Sequence, residues 1–158
     1  MASWKQATDE APELAARVRE DFEAHKHKTL ATLRRDGSPR ISGTETIFAG
    51  EHLWIGSMWR AVKALDLLRD PRFALHGASV SENWKADVKI AGTAEEVSDP
   101  AALAEVRGAL GGQEPPGPSH MFRLDVRELV VTGLGDPPDH LVIESWHEGR
   151  GLSRVERR

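Results

Sequence analysis

LWIGSMWRAVKALDLLRDPR, residues 53–72, is the stretch of the chain on which the fold depends. Its apolar start predicts a short strand over 52–56. The residues after it predict an amphipathic helix that runs from a cap at Ser57 to about Arg69. The 3.6-residue period of a helix groups four apolar side chains on one predicted face: Ala61, Ala64, Leu65 and Leu68. Asp70–Pro71 stops the helix, so a strand–helix unit stands at the centre of the fold.

The predicted start of this helix has the features of an anion site. The first backbone N–H groups of a helix have no intrahelical partner, and the helix dipole favours negative charge there. Arg60 and Lys63 would lie one turn apart beside those groups, with the Ser57 hydroxyl close by. This combination predicts a phosphate site. The alternative is an ordinary amphipathic helix whose cations are solvated.

Composition indicates a single globular domain over residues 1–158, with enough chain to bury a core. The absence of cysteine excludes disulfides, thiolate metal sites and cysteine nucleophiles. A net charge of −4 argues against general nucleic-acid binding, and no apolar run approaches the ~20 residues that span a bilayer. The first residues lack the apolar segment of a secretory signal, so we expect a cytoplasmic protein that binds neither nucleic acid nor membrane.

The remaining chain alternates short strands with turn signals. A helix is predicted over 9–24, within the N-terminal segment 1–24, because Leu14, Val18 and Phe22 repeat at helical spacing. A second small helix is predicted over about 99–110, and residues 148–158 read as a solvated tail. The other predicted strands cover 29–35, 39–49, 73–77, 86–97, 121–134 and 140–147. The result is a mainly β (α+β) fold with six to seven antiparallel strands, about three peripheral helices and a barrel closed on itself.

Three local features carry more specific predictions. Asp36–Gly37 marks a tight hairpin turn, and a shift of the apolar phase at Glu128 predicts a β-bulge. Gly43 inside a strand indicates either a bulge or the close approach of another group to the backbone. The Gly/Pro segment 111–119 is either a lid or a plain flexible connection, and 78–84 is a polar loop. His25 and His27 are either a weak metal pair or solvated histidines at a helix end.

No sequence motif names a catalytic group. The chain has no G-x-S-x-G, Walker, H-E-x-x-H or G-x-G-x-x-G sequence, and its serines and histidines are too scattered to form a recognisable triad. We therefore leave the catalytic residues unknown and expect no metal site. A phosphate-type site without an evident acid, base or nucleophile is typical of a protein whose cofactor does the chemistry.

The segments TLATLRRDGSPRISGTETIF, LWIGSMWRAVKALDLLRDPRFAL and WKADVKIAGTAEEVSDP, in this order, resemble the pyridoxamine 5′-phosphate oxidase-like flavoproteins. These are FMN-binding split β-barrels of Greek-key topology that include flavin- and deazaflavin-dependent oxidoreductases. The resemblance covers about residues 25–147. It implies a homodimer with two cofactors at the subunit interface, and a hydride or electron transfer to or from a small conjugated substrate.

The resemblance also assigns roles to residues. It implies that Ser57, Arg60 and Lys63, with Met58 and Trp59 beside them, hold the cofactor phosphate. The second strand would run along the flavin ring at Arg40, Ile41, Ser42 and Gly43, where a missing side chain would let a flat ring approach. Trp59, Trp84 and Trp146 are candidates to wall the ring or substrate, with core or dimer packing as the alternative.

The C-terminal segment departs from true pyridoxamine phosphate oxidases. Those enzymes carry an Arg-x-His pattern that grips the substrate, whereas this chain ends GLSRVERR. Oxidation of pyridoxamine phosphate itself is therefore not expected. FMN is the expected cofactor, and a deazaflavin is the alternative within the same fold. A non-enzymatic flavin or haem carrier is a third reading, with His76 or His120 as the axial ligand.

Overall fold

A computed structural model describes residues 2–77 and 84–158 of the chain. It begins with two helices, α1 (Trp4–Glu10) and α2 (Pro12–Ala24), where the sequence predicted one. The helical conformation is interrupted at Ala11. Pro12 begins the second helix, because the backbone N–H that proline lacks would have no partner in the first turn. The apolar face predicted for this segment is buried in the structure.

Nine antiparallel strands and two further helices follow within the described residues. The strands are β1 (Lys28–Leu33), β2 (Pro39–Thr44), β3 (Ile47–Ala49), β4 (His52–Met58), β5 (Arg72–His76), β6 (Ala86–Glu96), β7 (Ser119–Leu134), β8 (Leu141–His147) and β9 (Gly151–Arg157). The helices are α3 (Val62–Arg69) and α4 (Pro100–Ala109). The mainly β, antiparallel class is confirmed. The strand count is higher than predicted because 39–49 divides in two and the predicted tail forms β9. Residues 78–83 of the predicted polar loop lie outside the described part of the chain.

The strands form one sheet in the order β2-β1-β5-β6-β7-β4-β3, and β8 pairs with β7 and β9. The two ends of this path are β2 and β3, which form no ladder with each other in the described chain, so the prediction of a closed barrel is wrong. The barrel is split, as the family resemblance implied, and this prediction is confirmed. Because β3 follows β2 in the chain but lies at the opposite end of the sheet, and pairs with the start of β4, the gap between β2 and β3 opens beside the end of β4.

Strand β7 organises the sheet because it is long enough to serve three partners. One of its edges pairs with β6 along nearly its whole length, while the other pairs first with β4 and then with β8. The register with β6 slips between Ala91 and Gly92, leaving Arg127 as an extra residue on β7. This is the bulge that the phase shift at Glu128 predicted, displaced by one residue.

The core lies between the inner face of this sheet and the two N-terminal helices. Leu14, Val18 and Phe22 of α2 pack into one buried cluster with apolar side chains from the strands. Trp146 of β8 belongs to this cluster and is fully buried, and its indole N–H donates to the Glu10 carboxylate at 2.9 Å. Among residues 2–77 and 84–158, no helix has both the length and the apolar character needed to cross a bilayer.

Candidate functional site

A cavity of about 830 Å³ opens where the sheet is split. Its walls come from residues 43–45 at the end of β2, residues 56–58 at the end of β4, the start of α3, the start of β7, and the loop 110–118. This volume lies within the range of roughly 300–1,000 Å³ that is usual for small-molecule sites. Four residues predicted for the cofactor site line it: Gly43, Ser57, Met58 and Lys63.

The junction between β4 and α3 differs from the sequence prediction. Ser57 belongs to β4, where it lies opposite His120 of β7, and the helix begins only at Val62 with Ala61 as its cap residue. The prediction that Ser57 caps α3 is therefore wrong, because pairing with β7 carries the strand two residues further than its apolar run. The Ser57 side chain still reaches the cavity wall.

Arg60 lies in the turn before α3, not on the helix. Its backbone has φ of 57°, the left-handed region that side chains other than glycine rarely occupy. The Arg60 N–H donates to Nε2 of His120 at 3.0 Å, and this bond fixes the turn. The guanidinium group is exposed and has no ion pair within the described chain, so it remains available to an anion.

The Lys63 side chain extends from the first turn of α3 towards β2. Its ammonium donates to the Gly43 carbonyl at 2.6 Å and lies on the cavity wall. Burial lowers the pKa of Lys63 from its ordinary value. A partly desolvated cation beside a cavity interacts more strongly with an anion than a solvated one does.

Gly43 forms an ordinary ladder pair with Thr29 and has no positive φ, so the bulge predicted there is absent. A Cβ added at Gly43 would meet no atom within 4 Å. The strand therefore presents a flat, open stretch of backbone to the cavity. That feature matches the second reading of this glycine, in which another group approaches the backbone.

The other predicted residues of β2 do not line the cavity. Arg40 turns to α3, where its Nε donates to Oδ2 of the buried Asp66 at 2.7 Å, and Thr32 donates to the same oxygen at 2.8 Å. Burial raises the pKa of Asp66, but the hydrogen bonds from Arg40, Thr32 and Arg69 outweigh it, so the net pKa is lowered. This network ties α3 to β1 and β2. Ile41 is exposed and Ser42 is half-buried.

The apolar face predicted for α3 is only partly correct. The helix buries Ala64 and Leu67 with Asp66, whereas Leu65 and Leu68 are 41% and 49% exposed. The predicted and observed buried faces differ because the helix starts later than predicted. The pairing of β4 with β7 and the turn at Arg60 determine which face of α3 packs on the sheet. Exposed leucines on a helix beside the cavity form a surface that another apolar surface can cover.

The three tryptophans have different surroundings. Trp59 is 55% exposed and stacks on the His120 ring, with ring centroids 4.6 Å apart and an interplanar angle of 10°. Trp84 donates to Asp87 at 2.9 Å and does not line the cavity. Trp146 is in the core, so its predicted role as a wall of the ring is wrong. The alternative of core packing holds for it because β8 faces the N-terminal helices.

Two further parts of the site were named in the sequence only as alternatives, His120 as a haem ligand and 111–119 as a lid, and their places in this cavity were not predicted. His120 is buried, lines the cavity, and pairs through Nδ1 with Oε1 of Glu96 at 2.6 Å. The loop 110–118 supplies the opposite wall, where Arg107 of α4 pairs with Glu114 at 3.0 Å. Residues 60, 96 and 120 come together only through strand pairing, so no local signal joins them. Within the described ranges, no group of three metal-ligating side chains occurs.

The family model described as pyridoxamine 5′-phosphate oxidase matches residues 14–132. The chain belongs to this family. The matched range contains the β1–β2 hairpin, the β4–α3 junction and β6, which are the segments that carried the resemblance in the sequence. No protein of curated function matches the chain.

Solved structures share the fold of this family member at low sequence identity. A pyridoxamine 5′-phosphate oxidase-related, FMN binding protein from Nostoc punctiforme is 17% identical, with a TM-score of 0.64 over 100% of this chain and 98% of the other. A heme binding protein from Mycobacterium smegmatis is also 17% identical, with a TM-score of 0.62 over 91% and 87%. PhzG from Burkholderia lata, in complex with tetrahydrophenazine-1-carboxylic acid, is 16% identical, with a TM-score of 0.61 over 94% and 87%.

Proposed function

We propose that this protein is a flavin-dependent oxidoreductase that binds FMN in the split of the barrel. The observation that carries the proposal is the cavity of about 830 Å³, whose wall contains both the open strand at Gly43 and Lys63 of α3, with the exposed Arg60 in the adjoining turn. Family membership and the FMN-binding relative with the same fold support the choice of cofactor.

The residues fit both ends of such a cofactor. Lys63, Arg60 and the first N–H groups of α3 would hold the phosphate, since two cations and unpaired helix amides favour a dianion. The backbone of β2 at Gly43 would lie along the isoalloxazine ring, where no Cβ fills the space. Met58 and Met121 add polarisable apolar walls to the cavity.

Bound FMN supplies the hydride or electron transfer, and the protein contributes placement and electrostatics. The cations fix the phosphate end, the flat strand orients the ring, and the loop 110–118 limits the access of water to the remaining space. The substrate class proposed is a small conjugated molecule that stacks in that space. No residue is assigned as a general acid or base.

We also propose a homodimer that completes the site. Six large apolar side chains are exposed on the segments that form or adjoin the cavity: Ile41, Met58, Trp59, Val62, Leu65 and Leu68. Val62, Leu65 and Leu68 recur every three residues and so share one face of α3. An exposed apolar surface of this kind beside a ligand site is typical of a subunit interface.

A deazaflavin is the alternative cofactor, since the same cations would hold its phosphodiester. A non-enzymatic haem carrier is the alternative from another functional class. It is considered because a haem-binding protein has the same fold. The two histidines that could be axial ligands argue against a haem carrier, because their ring nitrogens already face partners within the protein. His120 uses both ring nitrogens inside the protein, and His76 places Nδ1 3.1 Å from the Gly77 carbonyl and Nε2 3.6 Å from Asp87.

Titration of the apo protein with FMN, followed by flavin absorbance and fluorescence, tests the proposal. We expect binding by the wild type and a loss of affinity of about tenfold or more in Arg60→Ala/Lys63→Ala, because two charged phosphate contacts disappear. Riboflavin, which has no phosphate, should bind the two proteins about equally. The double variant Arg150→Ala/Arg158→Ala removes the same charge away from the cavity and serves as the control.

The outcomes separate the alternatives. Absence of FMN binding contradicts the proposal, and titrations with a deazaflavin and with haem then follow, the latter recognised by an intense Soret band. Equal FMN affinity in the wild type and Arg60→Ala/Lys63→Ala would leave the cofactor in place but refute the phosphate site. A measurable electron transfer from a reduced nicotinamide to the bound flavin would distinguish an enzyme from a carrier.

A further inference from the structure

His120 is placed to control the turn that presents the anion site. It lies on β7 directly opposite Ser57, is 3% exposed, and forms part of the cavity wall. Its ring is held on three sides: Nδ1 meets Glu96, Nε2 meets the Arg60 N–H, and one face stacks on Trp59. Phe122 lies near the ring at 6.0 Å between centroids.

The hydrogen bonds define the protonation state of this ring. The Arg60 backbone N–H is a donor, so Nε2 must accept and cannot carry a proton. The proton of the neutral imidazole therefore lies on Nδ1, where it donates to the Glu96 carboxylate. A second proton on Nε2 would place two donors against each other and break the bond to Arg60.

The bond to Arg60 matters because the turn is strained. A left-handed conformation at a residue with a long side chain, such as Arg60, is unfavourable and persists only where its surroundings hold it. The hydrogen bond that the Arg60 N–H donates to His120 and the stacking of Trp59 on the same ring hold this turn against β7. Ala61 follows immediately and caps α3, so the turn also sets where the helix N–H groups point.

We propose that neutral His120, fixed as its Nδ1–H tautomer by Glu96, is the positioning residue of the anion site and makes cofactor phosphate binding dependent on its own protonation. It acts through the Arg60 turn and does not itself contact the phosphate. This inference rests on the proposed FMN site, because phosphate affinity is one of its two measured effects. The other effect is a conformational change of the turn that needs no cofactor.

Other charged groups near the ring differ in how they could affect this switch. Glu96 at the end of β6 is the direct partner. Lys63 of α3, Glu45 after β2, Glu114 of the loop and His27 before β1 line the same cavity. The FMN phosphate takes up its second proton near pH 6, so acidification changes the charge of the ligand as well. The test must separate the histidine from the phosphate.

The first measurement is the FMN dissociation constant between about pH 5.5 and 8.5, in the range where imidazoles titrate. His120→Gln is the key variant, because its amide can accept from Arg60 and donate to Glu96 without titrating. We expect the wild type to lose about tenfold more affinity than His120→Gln on acidification, with equal affinities at the alkaline end. Both proteins share the contribution of the phosphate, so their difference isolates His120.

Glu96 offers a milder pair of variants, since its side chain is 38% exposed. Glu96→Gln keeps an acceptor for Nδ1–H and should bind FMN like the wild type. Glu96→Ala removes the acceptor that fixes His120 as its Nδ1–H tautomer. This change should weaken FMN binding several-fold at all pH values. This pair keeps the proposal testable even where changes at the buried His120 reduce folding.

The second measurement follows Trp59 emission in the apo protein over the same pH range. A stacked imidazolium changes the emission of an indole, so the wild type should show a transition that His120→Gln lacks. His52 lies edge-on to Trp54 and can add its own signal, so the spectrum of Trp59→Phe is subtracted.

The two measurements distinguish the ways of failing. If FMN does not bind but the Trp59 transition is present and depends on His120, the cofactor assignment fails while the switch in the turn stands. If FMN binds and the wild type and His120→Gln have the same pH profile, the proposal for His120 is wrong and the FMN site stands. Equal binding by Glu96→Ala and Glu96→Gln would likewise overturn the role of the tautomer.

Discussion

Gly43 is a residue whose missing side chain has no structural explanation within the chain. Its φ is ordinary, its ladder pair is regular, and a Cβ there would meet no atom within 4 Å. Glycine in a strand interior costs stability relative to alanine, by roughly 0.5–1 kcal/mol. A flat ligand ring against the strand would offset this cost.

Gly43→Ala should keep or raise the free energy of unfolding and should lower FMN affinity by about fivefold or more, since the methyl group occupies the space proposed for the ring. Urea unfolding and an FMN titration measure the two effects. Gly108→Ala in α4 is the matched control: it too has open space for a Cβ, so it should stabilise the protein without changing FMN affinity. Unchanged FMN affinity in Gly43→Ala would place the ring elsewhere.

Asp66 makes stability depend on pH in a defined direction. Its folded pKa is lowered from 3.8, so its contribution is present above that value and is lost as the pH falls through the lowered pKa. Asp66→Asn should cost about 2 kcal/mol at pH 7, because the half-buried Arg40 and the buried Thr32 donors lose a carboxylate. The difference from the wild type should shrink towards pH 2.

Urea unfolding of the wild type and Asp66→Asn at pH 7 and at low pH tests this expectation. Asp9→Asn is the control, because Asp9 forms an exposed ion pair with Lys5, which lies one helical turn away. Such a pair contributes little, so its loss should change stability far less than Asp66→Asn does. A pH-independent difference for Asp66→Asn would show that the carboxylate charge is not what stabilises the network.

The site could be predicted from the sequence only where its signals are local. Lys63 and Gly43 were predicted because a cation near a helix start and a glycine in a strand are visible in short windows. The roles of His120 and Glu96 were not, since their partners lie 60 and 24 residues away in the chain. Ser57 was assigned to a cap because an apolar run does not show how far its partner strand continues.

Among the elements, the β6–β7 ladder has the tightest backbone approach. A Cβ added at Gly92, beside the slip in register, would lie 1.8 Å from the Asp125 carbonyl oxygen. That neighbour is backbone, so it cannot rotate away. The glycine is therefore required by the bulge itself, unlike Gly43.

Gly92→Ala should destabilise the protein by about 3 kcal/mol or more, because one of the two central strands must move to admit the methyl group. The midpoint of urea unfolding measures the loss. Gly43→Ala, the same change in another strand, is the internal comparison. If both variants are equally stable, the strands do not approach as closely as the structure shows.

The elements were predicted well where period and packing agree. In β6, which lies within the strand predicted over 86–97, Val88 and Ile90 alternate with polar residues and are buried in the core. Asp99 caps α4 by accepting from the Ala102 N–H at 2.9 Å. The division of 39–49 into β2 and β3 was not predicted, because both parts have strand-forming residues. The two strands are distinguished only by their places at opposite ends of the sheet.

At the scale of the whole molecule, the exposed face of α3 predicts association. Leu65→Lys/Leu68→Lys should shift the protein from dimer to monomer in sedimentation velocity, because two charges would be buried at the proposed interface. FMN affinity should fall with it if the partner completes the site. Leu152→Lys on β9 is the control, since its side chain is 57% exposed on a different surface. A dimer that survives the double change must use another face.

The N-terminal helices have a further consequence for how the chain is made. Both pack on β7, α2 also packs on β8, and Glu10 receives the indole N–H of Trp146, which lies 136 residues later. During synthesis α1 and α2 leave the ribosome first, but the surface they cover is completed last. We therefore expect their apolar faces to stay exposed until β8 has emerged, so that the core can close only after residue 147 has left the ribosome.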